Sequence, residues 1–245
     1  MISQADPLVL VPGMLCDEDL WSALTPKVDR PVINAEITEP SIHAMALEVL
    51  DSSPDRFVLV GLSLGAIVGF EILRIAPERV VGFCAISTNP RNPTAQQLTA
   101  WRDMAAATRA GHFRHVVSDI LAPKMFADPE SLQSNRARFE AMARRVGPEV
   151  FRNQLAAQST RTDARTRLRD VGCPALVLSA QFDALCPRAF HTDIVDAIPE
   201  AQLRTIARSG HLSTWEKPQS VGEQLNQWLT THLTPEPQEN SCPAS

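Results

Sequence analysis

Nothing in the 245 residues approaches the roughly 18 consecutive apolar residues that cross a bilayer, and no basic stretch followed by an apolar one opens the chain. A membrane or exported protein is therefore not expected, and the expected location is the cytoplasm. The five cysteines, Cys16, Cys84, Cys173, Cys186 and Cys242, are odd in number, widely spaced and free of C-x-x-C pairs. This argues against a disulfide framework and a zinc site, and leaves them as small buried apolar residues. The last four residues, Cys242 to Ser245, formally fit a prenylation box, but Pro243 and Ala244 suit its aliphatic positions poorly and no polybasic stretch precedes them. Aromatic residues make up only 5% of the chain, and the arginines are spread over several helical segments, so no nucleic-acid surface is expected. No motif calls for a metal or an organic cofactor. What remains is the composition of an ordinary globular protein, long enough for one large α/β domain or a core with an insertion.

The net charge of −5 is unevenly distributed. Residues 89–172 hold fourteen of the 23 Lys+Arg and eight of the 28 Asp+Glu, leaving nine and twenty for the remainder. Such a division suggests a separate basic unit docked on an acidic core. A solvated Arg-rich surface is the plainer reading; attraction of anionic substrates is the sharper one.

Short apolar runs alternate with helical periodicity up to residue 88 and again from residue 174. Strands are expected at 7–11, 31–37, 57–60, 80–86, 175–178 and 203–206, and helices at 41–50, 64–76, 187–198 and from Pro218 onward. Ser41 is placed to cap the first of these helices, and Val221, Leu225, Trp228 and Leu229 share one face of the last. This alternation implies parallel βαβ units with both faces of the sheet covered. Between residues 89 and 172 the pattern is purely helical, with segments at 94–109, 113–121, 129–146 and 148–158, as in a lid over the end of a sheet. The expected division is a core of residues 1–88 and 173–233, a helical cap of residues 89–172 and a disordered tail of residues 234–245.

The chemistry centres on Gly61-Leu62-Ser63-Leu64-Gly65, which stands where strand spacing turns into helical spacing. A serine between glycines at such a turn fits a nucleophile elbow, whose strained backbone pushes the hydroxyl off the end of the sheet. A Cβ at Gly61 or Gly65 would crowd the turn, and Gly69 lets the helix lie close to the strand. A serine hydroxyl needs a base in contact and a carboxylate to orient that base, both from loops at the carboxyl ends of strands. Among six histidines, only His211 follows a strand; His43, His112, His115, His191 and His232 fall in helical patterns. Asp183, just past the strand at 175–178, is the candidate acid, since the end of the strand at 80–86 offers Ser87, Thr88 and Asn89 but no carboxylate. Donors for an oxyanion are expected from the backbone N–H of Leu64, at a helix start, and of Met14, in the turn after the first strand. Pocket candidates are Leu15, Cys16, Trp101, His112, Phe113, Met125 and Phe126.

Three segments together, Gly61 to Gly65, Ala76-Pro-Glu-Arg-Val80, and Ser209-Gly-His-Leu-Ser213 with Glu216-Lys-Pro218, make the chain resemble the α/β-hydrolase superfamily over residues 7–233. It looks most like the small cap-bearing carboxylesterases, with meta-cleavage-product C–C hydrolases similar in pattern. The resemblance implies an α/β-hydrolase fold, but the family's first two antiparallel strands have no room before Pro7, so a shortened, mostly parallel sheet of about six strands is expected. It also implies Ser63 as nucleophile, His211 as base, Asp183 as acid and the amides of Met14 and Leu64 at the oxyanion. Two features depart from the family pattern: Pro12-Gly13 stands where His-Gly is frequent, and Gln-Phe-Asp183 where Gly-x-x-Asp is usual. The expected activity is cofactor-free hydrolysis of a carboxylic ester with a small-molecule acyl substrate, by a monomer or homodimer. A thioesterase, a C–C hydrolase or a perhydrolase would use the same triad, and a binding module would keep the fold without turnover.

Overall fold

The computed structural model describes residues 6–233. Its sheet has six parallel strands, β1 (Leu8–Val11), β2 (Val32–Asn34), β3 (Phe57–Leu62), β4 (Val80–Ile86), β5 (Ala175–Ala180) and β6 (Gln202–Ile206), in the order β2-β1-β3-β4-β5-β6. Successive side chains alternate between the two faces. Leu8 and Leu10 of β1 share one buried cluster with Val58, Val60 and Leu62 of β3, while Val9 and Val11 join Phe57 and Leu59 in another. Burial on both faces explains why these strands read as unbroken apolar runs.

The helices of the core are α1 (Ile42–Asp51), α2 (Leu64–Ile75), α6 (Arg188–Ala197), α7 (Ser213–Glu216) and α8 (Pro218–Leu233). Ser41 caps α1 by accepting a hydrogen bond from the Ala44 amide. The acidic segment containing Trp21 forms two short 3-10 turns, Glu18–Trp21 and Thr25–Lys27, because Asp17 caps the first and Pro26 sits within the second.

Between β4 and β5 the chain is helical: α3 (Ala95–Ala107), the single turn α4 (Phe113–His115) between two wider π-type turns, and α5 (Pro129–Thr160). Gly147, at φ +83°, precedes Pro148 and breaks α5 into two helices, as the sequence pattern anticipates. Several arginines of this segment face carboxylates. Arg145 Nε lies 2.6 Å from Asp17 Oδ2, Arg138 Nη2 lies 2.5 Å from Asp19 Oδ1, and Arg91 Nε lies 2.5 Å from Asp193 Oδ2. Arg138 also stacks on Trp215, 4.1 Å from the ring centre.

The crossover from β1 leads to β2 on one side and that from β3 leads to β4 on the other, so the loops after β1 and β3 part at the carboxyl end of the sheet. A crevice opens where strand order reverses in this way. Among the described residues, no helix is long and apolar enough to cross a membrane.

Candidate active site

Ser63 sits in that crevice, at φ 55° and ψ −112°, a conformation that a residue with a Cβ rarely adopts. The surroundings hold it there. Its amide donates to the Ile86 carbonyl at 2.9 Å, and its carbonyl accepts from the Thr88 hydroxyl at 2.9 Å and from the amides of Ala66 and Ile67. The turn has no space for side chains at its glycines: a Cβ on Gly61 would stand 2.5 Å from the Ala66 nitrogen, and one on Gly65 would overlap the Val11 carbonyl. A Cβ on Gly69 would come within 2.9 Å of the Phe83 ring, so α2 lies directly on the sheet.

Asp183 and His211 come together because the ends of β5 and β6 are tied. The Gln181 amide donates to the Ile206 carbonyl at 3.0 Å and the Phe182 amide to the Ser209 carbonyl at 2.9 Å. His211 Nδ1 then lies 2.9 Å from Asp183 Oδ2 and 3.0 Å from Oδ1, both side chains being buried. Asp183 Oδ1 also accepts from the amides of Leu185 and Cys186, each at 2.9 Å. Burial pushes the Asp183 carboxyl upward, but the His211 charge, its hydrogen bond and the two amides outweigh this and hold it below its ordinary value. An ionised Asp183 accepts from Nδ1–H of His211, which fixes the tautomer that leaves Nε2 as the base.

Ser63 and His211 line one cavity of about 540 Å³, together with Met14, Cys16, Trp101 and Met125. Of the sequence-derived pocket residues, Cys16, Trp101 and Met125 are therefore in place. The other four lie elsewhere, because helix phase and tight packing turn them away. Leu15 is fully buried in the core, and His112 is exposed in a separate surface depression. Phe113 packs on Phe151 with ring centres 5.7 Å apart, and Phe126 meets Phe139 edge-on at 6.3 Å. The Leu64 side chain is buried in the core on the α2 side. The amide of Leu64 opens α2, where no helical carbonyl is available to it. Met14 lies in a turn closed by the Cys16 amide donating to the Gly13 carbonyl at 3.2 Å.

Four further side chains, Gln154, Glu216, Thr88 and His191, shape the site; the sequence marks Glu216 only as part of a motif and assigns none of the four a role in the site. Gln154 of α5, 1% exposed, accepts from the Leu15 amide at 2.9 Å and donates to the Ile37 carbonyl at 3.1 Å, fixing the turn that carries Met14. Glu216 accepts from the amides of Gly210, at 2.6 Å, and Ala127, at 2.9 Å, binding the His211 loop to the inserted helices. A Cβ on Gly210 would stand 2.5 Å from the Ala127 nitrogen, which shows how closely the two segments approach. Behind Ser63, fully buried His191 accepts the Thr88 amide at its Nε2, 3.1 Å away, and Thr88 in turn holds the Ser63 carbonyl. Burial lowers the His191 pKa to about 4 against a smaller upward pull from Asp183, so this imidazole is neutral.

Two thiols, Cys16 and Cys186, also reach the cavity, but burial first and nearby Asp side chains second raise both well above the ordinary cysteine value. The thiolate is the nucleophilic form, so neither competes with Ser63. Among the described residues the donors of Asp183, Cys186 and His211 converge within 4.8 Å, the spacing of a metal site. An ion there would have to break the His211–Asp183 hydrogen bond and deprotonate the Cys186 thiol, so the group suits proton transfer better than metal binding.

A sequence profile described as the alpha/beta hydrolase family matches residues 8–224. A pimeloyl-[acyl-carrier protein] methyl ester esterase of Photobacterium profundum is 26% identical over 246 residues, covering 92% of this chain and 95% of the relative. In three dimensions the chain is similar to a thermophilic esterase from Thermogutta terrifontis, with a TM-score of 0.86 at 23% identity, over 94% of this chain and 92% of that one. It is also similar to the enol-lactonase from Burkholderia xenovorans LB400, with a TM-score of 0.80 at 20% identity, over 93% and 92%. The profile spans most of the chain, from β1 into α8, and the six-stranded sheet with helices on both faces agrees with it, so this chain belongs to the alpha/beta hydrolase family.

Proposed function

We propose that the protein is a serine hydrolase that cleaves a carboxylic ester of a small or medium acyl group through an acyl-enzyme on Ser63. The observation that carries this reading is that Ser63, in a strained elbow, and His211, held by ionised Asp183, line the same cavity. His211 Nε2 takes the hydroxyl proton as Ser63 Oγ attacks the ester carbonyl, and Asp183 stabilises the imidazolium that forms. The amides of Met14 and Leu64 receive the negative charge that develops on the carbonyl oxygen. Collapse of the intermediate expels the alcohol, which leaves with the proton from His211. Water, activated by the same imidazole, then releases the acid and restores the serine. Residues 89–172 act as the cap that closes the cavity over the sheet edge, and no partner beyond the small-molecule substrate is required. The ester activity named for the Photobacterium relative agrees with this chemistry.

Hydrolysis of p-nitrophenyl esters of graded chain length, beside a panel of acyl-coenzyme A thioesters, tests the reading. Ester turnover is expected, and Ser63→Ala should lower it by about 10⁴-fold or more while the fold survives. Substantial turnover in clean Ser63→Ala protein would overturn the assignment. Turnover of thioesters without esters would move the same triad to a thioesterase.

A further inference from the structure

Arg161, the residue that follows α5, is a permanent cation lining the Ser63 cavity and is only 7% exposed, whereas Lys124, which also lines it, is exposed. Its guanidinium is held by neutral groups. Nη1 donates to Gln158 Oε1 at 3.1 Å, Nη2 lies 3.4 Å from Gln97 Oε1, and the ring of Trp101 stands 5.3 Å from the guanidinium carbon. Nε is buried and donates to nothing among the described residues. Other arginines of the inserted segment, Arg91, Arg138, Arg145 and Arg165, are each matched by a carboxylate; among the described residues Arg161 has none.

The acidic residues nearest the site are accounted for. Asp183 is committed to His211, and Asp103, which also borders the cavity, is exposed and makes no ion pair with Arg161. Glu71, in a depression that Arg161 also borders, is taken by Arg74 at 2.7 Å, His43 at 2.9 Å and Arg167 at 3.9 Å. A guanidinium cannot shed its charge at neutral pH, so a buried one without a counter-ion is a costly arrangement unless a ligand supplies the anion. Gln97, Gln158 and Trp101 fix its plane without neutralising it. The free Nε edge has the donor geometry that matches a carboxylate. Burial pushes the guanidinium pKa down, as expected for a desolvated cation that lacks an anion, while the Cys186 thiol offers only a slight opposing pull.

We propose that Arg161 anchors a carboxylate carried by the substrate, which makes half-esters of dicarboxylic acids the preferred substrate class. The ester end of such a molecule lies at Ser63 and its free carboxylate at Arg161, so the half-ester arm rests on Ser63 being the nucleophile. The anion-binding arm does not.

Two measurements separate these. First, kcat/KM is compared for monomethyl and dimethyl esters of straight-chain dicarboxylic acids of graded length, in the wild type, Arg161→Gln and Arg161→Lys, with folding checked by circular dichroism. The wild type should prefer the half-ester at one chain length. In Arg161→Gln the half-ester to diester ratio should fall about 30-fold or more, chiefly through KM, and Arg161→Lys should recover part of it. A ratio unchanged within about twofold in a folded variant would overturn the proposal, because a purely structural role moves both substrates together. If Arg161→Gln does not fold, Arg161→Lys carries the test, with a drop of about fivefold expected and no change contradicting it. Second, calorimetric titration with the free dicarboxylate of best length reads the anchor without turnover. Binding to the wild type and its loss in Arg161→Gln supports the anchor even if no ester is hydrolysed, in which case the nucleophile reading fails alone. No binding to the wild type at any length, or equal binding to both proteins, overturns the anchor.

Discussion

The carboxyl edge of the sheet and the inserted helices are held in place by different means, as two glycines show. Gly65 is surrounded by backbone: a Cβ there would overlap the Val11 carbonyl and stand 2.6 Å from the Pro12 carbonyl oxygen. Gly147, in the break of α5, has φ +83° and nothing within 4 Å of the added atom. The sheet edge leaves its residues no room, whereas the inserted segment requires of Gly147 only a dihedral angle. The same contrast runs through the polar groups. The strand ends that carry Ser63, Asp183 and His211 are tied together by backbone hydrogen bonds, to which Thr88 and Glu216 add side-chain ones, while the inserted segment is fastened to the core by arginine side chains and by single residues such as Gln154. A site that must hold an unfavourable conformation thus rests on the stiffer of the two regions.

Substitution of the two glycines should separate the regions most widely. Gly65→Ala is expected to cost more than about 3 kcal/mol or to prevent folding, because only backbone could move to make room. Gly147→Ala should cost roughly 1–3 kcal/mol, because φ +83° with ψ 163° is a conformation that essentially only glycine adopts, although the added atom meets open space. Urea unfolding of both variants checks this, and equal losses would erase the distinction.

The next effect is a pH dependence that belongs to the core. An unfolded histidine binds a proton below about pH 6.5, but folded His191 resists protonation until about pH 4. The unfolded state therefore binds more protons in that window, and stability should fall as pH drops from 6.5 to 4, by at most about 3 kcal/mol. Ionised Asp183 adds a loss at still lower pH, since its stabilisation is complete above the ordinary carboxylate value and disappears as the folded carboxylate is protonated. His191→Gln should flatten the upper window in a series of unfolding curves. An unchanged slope would mean that His191 is charged in the native protein.

Glu216 joins the two regions. In Glu216→Gln one of the amides of Gly210 and Ala127 must face an NH₂ group, so a loss of roughly 2 kcal/mol is expected. A fall in kcat larger than any change in KM should accompany it, because the displaced loop carries His211. Steady-state kinetics with unfolding measurements read both. The smallest effect should come from Arg145→Gln, whose exposed pairs with Asp17 and Asp19 should contribute about 0–1 kcal/mol, screened by salt.

The sheet edge was the legible part of the sequence because its constraints are local. Strand spacing, Gly61, Gly65 and the positions of Asp183 and His211 after strands all lie within a few residues of the groups they position. The break of α5 was legible too, since Gly147-Pro148 is a local signal. The cavity wall was legible only in part: Cys16, Trp101 and Met125 line it, as the sequence suggests. Leu15, His112, Phe113 and Phe126 were placed in it by proximity along the chain, but helix phase and packing turn them elsewhere. A usable sign of the groups that support the cavity lies in α5, where Phe151, Gln154, Leu155 and Gln158 stand at i, i+3, i+4 and i+7 and Gln158 reaches the cavity itself. Glutamines in an apolar stripe are buried polar groups in need of partners, and here they hold the Met14 turn and Arg161. His191 carries a similar sign, since it shares a buried face with Ile194 and Ile198.

The claim on which the rest depends is that Ser63 is a nucleophile made reactive by His211, and covalent trapping tests it most directly. The native protein is treated with a fluorophosphonate, digested, and its peptides examined by mass spectrometry, beside Ser63→Ala and His211→Ala. One adduct per chain on the peptide holding Ser63, absent from Ser63→Ala and slowed by about 10³-fold or more in His211→Ala, is the predicted result. Folded wild-type protein that takes up no label, or takes it up elsewhere, would contradict the account.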